Sequence, residues 1–340
     1  MKISRIDLKE ALDAIKAAVS FKEIIEHSDS FAFLDGRVFS YNDEISMSHP
    51  VPNLGIEGII KAEELHKLLS KIKQEEIDVS ITENELLVKF GKARAGLGLV
   101  KDTELPLGKF DITEQYMPVG KEFISALRFT APNCSTDMTK PMLTCVHIRA
   151  DGWMEASTGR RIARHKFPKV AISSVLLPSH LCTNVIQFNP TGIQQTEGWL
   201  HFMNEKGTTL SCRIFEEGYP SDEKVQSLMN FTGAKDLIFP QQVFDIIDRA
   251  SIFGVRNHIT DNEITLQFDD RELIVHARND SGWYKEKSLM RYKGEGLSVS
   301  LSPEFMFDIL NKTLNCRISA NKIGFKGDDW EFVSALKAEK

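Results

Sequence analysis

The chain is poor in cysteine, and no two of its five cysteines lie close together. Cys134, Cys145, Cys182, Cys212 and Cys316 are an odd set without a CxxC spacing, which excludes a paired-cysteine metal or redox motif and argues against a disulfide framework. Reduced, cytoplasmic thiols are expected. Also missing is any apolar run near the roughly eighteen residues of a membrane-spanning helix. The opening Met1-Lys2-Ile3-Ser4-Arg5-Ile6-Asp7 has no signal-peptide core, so a soluble protein that stays where it is made is expected. A basic balance is lacking too: 42 Lys and Arg face 48 Asp and Glu, a net charge of −6. Nucleic-acid-binding domains usually carry a basic excess. Any contact with DNA must therefore come from a local patch or from geometry. HExxH, P-loop and GxSxG patterns are absent, and His147 and His165 read as ordinary strand residues, so neither catalysis nor a cofactor or metal is expected.

What is present is a recurring order of elements. The 340 residues hold two or three domains' worth of chain, and 42% hydrophobic content suffices for packed cores. Three amphipathic helices repeat apolar residues at spacings of three and four: Leu8, Leu12, Ile15, Val19; Phe123, Ala126, Leu127; and Val243, Ile246, Ile247, Ala250, with Pro240 near the start of the third. Each is followed by a second helix, through Leu65, Leu68, Leu69, Ile72; through Leu181, Val185; and through Phe305, Ile309, Leu310, the latter two led by Pro178 and Pro303. Between first and second helices, strand patterns turn at Asp35-Gly36 and Asp151-Gly152, a type I′ hairpin signal. Asp35 and Asp151 lie 116 positions apart, as do Leu65 and Leu181, while Leu181 and Phe305 lie 124 apart. A period near 120 in three copies predicts three similar α+β domains, 1–114, 115–233 and 234–340. Head-to-tail repetition with a steady rotation curves a chain, and a heterologous contact between two such arcs closes a ring of six domains.

Several segments carry a family resemblance. They are Gly58-Ile59-Ile60-Lys61-Ala62-Glu63-Glu64-Leu65, Lys140-Pro141-Met142-Leu143-Thr144-Cys145-Val146, Ala156-Ser157-Thr158-Gly159-Arg160-Arg161-Ile162-Ala163, Glu217-Gly218-Tyr219-Pro220, and Tyr292-Lys293-Gly294-Glu295-Gly296-Leu297 followed by Phe305-Met306-Phe307-Asp308-Ile309-Leu310. Their order along the whole chain resembles the bacterial-type DNA sliding clamp, the beta subunit of replicative DNA polymerase. Cellular and virus-encoded origins both stay open. The resemblance implies the DNA clamp fold, three α+β domains with two helices packed on antiparallel sheets, forming half of a six-domain ring with helices inside. It implies a processivity factor without catalytic activity. The partners would be double-stranded DNA, held without sequence preference, a DNA polymerase, an ATP-dependent clamp loader and a second copy of the chain, with no membrane.

Site residues follow from the same resemblance. Residues 61–73 carry Lys61, Lys67, Lys71 and Lys73 against Glu63 and Glu64, a net of +2. With Lys22, Lys121, Arg128 and Lys140, the candidates for DNA contact are Lys22, Lys67, Lys71, Lys73, Lys121, Arg128 and Lys140. A groove for partner peptides would use Thr158, Gly159, Arg160, Arg161, Ile162, Pro220, Lys224, Val225, Val333 and Leu336, with Ala335 nearby. Thr158 stands where the family has Asp, and the tail Phe332-Val333-Ser334-Ala335-Leu336-Lys337 departs from the family's, which implies a different or weaker partner peptide. For the groove, the competing reading is that Arg160, Arg161, Arg164, His165 and Lys166 form a plain basic turn and strand end. The protomer interface would pair the edge around Ala95, Leu97 and Leu99 with Ile252 and Phe253. Gly96 and Gly98 leave oligomers other than a dimer open. The alternative function is a clamp-like adaptor that binds partner peptides without closing a ring.

Overall fold

A computed structural model describes residues 1–23, 25–52, 54–101, 115–216, 218–231, 233–257, 260–292, 296–319 and 321–338. The expected boundary at 114, Glu217 of the Tyr-Pro segment and Lys293–Glu295 of the last motif lie outside them. The chain forms two compact units. The first comprises residues 1–128, 147–152 and 168–217, and the second comprises 129–146, 153–167 and 218–340.

In the first unit, helix α1 (Arg5–Ile15) starts where the Ser4 side chain accepts a hydrogen bond from the Asp7 N–H, with Asp7 also placing negative charge in the first turn. Its buried face is Leu8, Ala11, Leu12 and Ile15. The helix stops at Ile15 and tightens into a 3-10 turn, so Val19 falls outside it. Helix α2 (Ala62–Lys71) packs beside α1, burying Leu65 and Leu69. Asp13 of α1 meets His66 of α2 at 2.6 Å. An antiparallel sheet runs in the order Gly58–Lys61, Ser30–Leu34, Arg37–Tyr41, Ile45–Pro50, Thr209–Arg213, Trp199–Met203, Gly192–Thr196, Met117–Pro118. A second sheet orders Lys2–Ser4, Glu76–Ile81, Glu85–Phe90 and Ala93–Gly98, leaving Ala93–Gly98 at its edge. Leu99, just past that edge, is buried against Gly58 instead of lying open on the free strand.

Asp35 and Gly36 both take positive φ, as a type I′ turn requires. The second Asp-Gly pair differs. Only Gly152 has positive φ, and its N–H closes a turn onto the Arg149 carbonyl at 3.2 Å, while the Arg149 guanidinium grips the Asp151 carboxylate. An ion pair at the turn's corners has replaced the mirror-image turn.

Helices α3 (Lys121–Thr130) and α4 (Ser179–Phe188) follow in the chain, and α4 ends on Asn189 in the left-handed conformation. The second unit holds α5 (Asp222–Met229), α6 (Val243–Ser251) and α7 (Pro303–Leu310). Helices α6 and α7 pack together, with the Phe244 and Phe307 rings 5.1 Å apart. They cover a phenylalanine-rich core that includes Phe239, Phe268 and Phe332. Six strands run Trp153–Ser157, Arg161–Lys166, Trp330–Ala335, Lys322–Lys326, Asn315–Ile318, Lys235–Ile238. Another sheet orders Gly282–Leu289, Glu272–Asn279, Thr260–Asp269, Leu297–Leu301 and Lys337–Ala338, so Gly282–Leu289 is an edge. Each unit thus draws strands from two of the expected repeats: Ile45–Pro50 pairs with Thr209–Arg213, and Arg161–Lys166 with Trp330–Ala335.

All five cysteines are buried, and burial pushes the Cys145, Cys212 and Cys316 thiols up, which keeps them protonated and unreactive. Among the described residues no helix is long and apolar enough to cross a membrane, and no group of three or more His, Cys, Asp or Glu is gathered to hold a metal.

In the first unit His201 is fully buried between Thr196 and Ser211, at 2.8 and 2.7 Å. Burial pushes its pKa from 6.5 down to about 4, so the ring is neutral in the fold, while the unfolded chain takes up one more proton between those values. Its contribution is complete above pH 6.5 and is lost as pH falls toward 4, about 3 kcal/mol in all. Urea titrations from pH 7 to 4 should show the wild type losing about that much more stability than His201→Gln.

Candidate functional site

The sharpest convergence of predicted site residues is in the second unit. Strands Trp153–Ser157 and Arg161–Lys166 are joined by a turn built from its own hydroxyls. The Ser157 hydroxyl donates to the Arg161 carbonyl at 2.8 Å and accepts from the Gly159 N–H at 3.0 Å. The Thr158 hydroxyl accepts from the Arg160 and Arg161 N–H groups at 3.4 and 3.3 Å. Gly159 sits at φ +83°, a conformation that other residues adopt only with strain. Arg160 then accepts the Ala335 N–H at 2.7 Å, and the ladder continues with Arg161 opposite Ser334 and Ile162 opposite Val333.

Side chains alternate across a strand. Ala163 and Phe332 face the main core, while Ile162 and Val333 face the other way, where Val225 of α5 joins them in a separate apolar cluster. Val225 is the one buried residue of α5, whose first turn carries Asp222 and Glu223 and is separated from Pro220 by the N-cap residue Ser221. Arg160 and Lys224 are exposed, and the Arg161 guanidinium lies 5.9 Å from the Phe305 ring centre. Leu336 does not join this cluster; it is buried in the main core.

Three residues absent from the sequence expectation complete the cluster: Tyr219, Met229 and Phe231 pack against it. Met229 follows Val225 at helical spacing, the one signal in the sequence that pointed to it. Beside the cluster runs a groove of about 620 Å³, with Met229, Phe231 and Val333 forming the wall they share.

The strand bearing Ile162 is not a plain basic strand end. Arg164 is buried, with its Nε 2.8 Å from the fully buried Glu155, Glu331 at 3.7 Å, and the Trp153 ring centre 4.4 Å away. His165 is buried as well, with Nδ1 2.7 Å from the Lys166 carbonyl, an ordinary strand residue.

Among the DNA-contact candidates, Lys22, Lys67, Lys71, Lys73, Lys121, Arg128 and Lys140 are all exposed. Lys67 and Lys71 share a face of α2, where Lys67 pairs with Glu63. Lys121 and Arg128 share a face of α3 with Ser125, opposite the buried Phe123, Ile124 and Leu127. On the candidate edges, Ala95 and Leu97 are half-buried. Ile252 is 70% exposed, and the Phe253 ring packs against Gly282, which begins the other edge strand. That edge, with Trp283 and Leu289 exposed, was not anticipated from the sequence.

No protein-family model matches the chain, and no curated protein matches it. Solved structures do match. The DNA polymerase III subunit beta from Pseudomonas aeruginosa is 17% identical, covering 99% of both chains with a TM-score of 0.79. The DNA polymerase sliding clamp from Bacillus subtilis is 18% identical, covering 100% of this chain and 99% of that one at 0.79. Caulobacter crescentus pol III beta is 15% identical, covering 99% of both at 0.82. The chain shares their fold from end to end.

Replacing Arg164 by Ala would leave Glu155 buried without its counter-charge, and chemical denaturation should register a loss of about 3–5 kcal/mol. The double change Glu155→Gln with Arg164→Met should recover most of it.

Proposed function

We propose that the chain is a DNA sliding clamp, a non-catalytic processivity factor that encircles duplex DNA and tethers a DNA polymerase. The observation that carries the reading is the likeness over 99% of both chains to structures named as DNA polymerase III beta subunits and sliding clamps. The threefold recurrence of a helix pair in the sequence, with an Asp-Gly hairpin between the helices in the first two copies, supports it independently, with domains 1–114, 115–233 and 234–340. Two copies close a six-domain ring.

Closure uses the free edges. The strand Ala93–Gly98 of one protomer pairs with Gly282–Leu289 of the other, beside Ile252 and Phe253, so that backbone groups otherwise open to solvent are satisfied. Leu97 and Trp283 lie on these strands.

The action is topological. A closed ring cannot leave duplex DNA sideways, so it needs no tight or base-specific contact, and the exposed Lys67, Lys71, Lys121 and Arg128 supply weak phosphate attraction suited to sliding. The net charge of −6 keeps nonspecific adhesion low away from those residues. A partner peptide docks at Ile162, Val225 and Val333, with Arg160 and Lys224 at the rim, and holds the polymerase at high effective concentration near the primer end. Opening the ring for DNA requires an ATP-dependent loader.

Once loaded on nicked circular plasmid, the protein should remain bound for many minutes and be lost on linearisation. Equal loss from circular and linear DNA would exclude encirclement. Light scattering should give twice the chain mass, shifting to the single-chain mass for Leu97→Asp with Trp283→Asp. A wild type that is strictly monomeric at micromolar concentration would leave the adaptor reading in place of the ring.

A further inference from the structure

We infer that residues 226–231 form a latch seated on the chain's own partner groove, that Lys322 holds it shut, and that a partner peptide must displace it. The inference rests on the groove reading proposed above and concerns the regulation of that site.

Three features of the second unit converge on this segment. Met229 and Phe231 pack on the Ile162, Val225 and Val333 cluster, the same surface a partner's apolar anchors would need. The Lys322 ammonium donates to three consecutive-turn carbonyls at the end of α5, Ser227 at 2.9 Å, Leu228 at 3.2 Å and Asn230 at 3.3 Å. Helix α5 has no basic residue of its own in its last turn, so Lys322 supplies both the missing donors and the positive charge that a helix C-terminus favours. Finally, Gly324 makes room for the Phe231 ring: a Cβ at that position would stand 2.5 Å from Phe231 Cζ and 2.7 Å from Cε2. Lys322 and Gly324 lie on one strand, next to the strand that carries Val333.

Among the described residues, α5 contributes little burial of its own. Helix α5 is eight residues long and buries only Val225. A helix this short is marginal without tertiary contacts. Met229 and Phe231 also line the pocket of about 620 Å³ beside the cluster, so that side of both side chains is not enclosed by the core. The latch also describes its competitor: an apolar pair of the Met-x-Phe kind, as in Met229-Asn230-Phe231, flanked by acids that meet Arg160 and Lys224.

The test uses the full-length protein and one probe, a fluorescein-labelled peptide Glu-Leu-Met-Asn-Phe-Glu. Anisotropy titrations would compare wild type, Lys322→Ala, Gly324→Ala, and Lys322→Ala combined with Val225→Glu, and hydrogen exchange would follow the Asn230 amide, which donates to the Gln226 carbonyl at 2.9 Å. Lys322→Ala and Gly324→Ala should each speed that exchange about tenfold and tighten peptide binding about tenfold. Adding Val225→Glu should abolish binding. Faster exchange with unchanged peptide affinity would overturn the latch and leave the groove intact. Unchanged exchange in Lys322→Ala would remove Lys322 as the group that holds it. No binding to any variant, despite faster exchange, would overturn the groove reading and the latch with it.

Discussion

Arg164 lies between two carboxylates on two neighbouring strands, opposite Glu155 on one side and Glu331 on the other. A buried guanidinium is tolerable only where counter-charge meets it, so this row admits one register for the three strands. Shifting Arg161–Lys166 by one residue would turn Ile162 into the main core and Ala163 out of it, and would strip Val333 of its partner. The apolar cluster on which the peptide reading depends is therefore positioned by an ion pair two residues away on the same face of the sheet.

The same pairing shows why a repeated sequence need not divide into independent bodies. Ile45–Pro50 with Thr209–Arg213, and Arg161–Lys166 with Trp330–Ala335, are strand pairs whose members come from different repeats. Joining sheets edge to edge removes exposed strands inside the chain and leaves others, Ala93–Gly98 and Gly282–Leu289, at sheet ends. In the proposed ring those remaining edges find each other on a second copy. An assembly that works by enclosure has no need of a basic surface overall, which reconciles a net charge of −6 with the proposed DNA partner.

The groove illustrates the limits of reading residue types along a line. Ile162, Val225 and Val333 were placed together by family resemblance, and they share one cluster. Leu336, of the same chemical kind and three positions from Val333, belongs to the main core, because it lies where the chain leaves the strand Trp330–Ala335 for the strand Lys337–Ala338 of the other sheet. Leu99 is similar: apolar and next to an edge strand, yet buried against Gly58. Arg164 looked like one cation in a basic stretch, and pairing across the sheet gave it two acids from distant sequence.

By itself the sequence determined six of the seven described helices, all but α5, and the first hairpin turn, because these follow from local periodicity and from residues that favour particular backbone angles: Leu8, Leu12 and Ile15 on one face, Asp35-Gly36 in a type I′ turn. Only the tertiary structure decided which strands share a sheet, which apolar residues face the groove, and that Lys322 caps a helix more than ninety residues before it in the chain. Those outcomes depend on contacts between segments far apart in sequence, and no local pattern encodes the partner that a lysine or an isoleucine will meet once the sheets have formed.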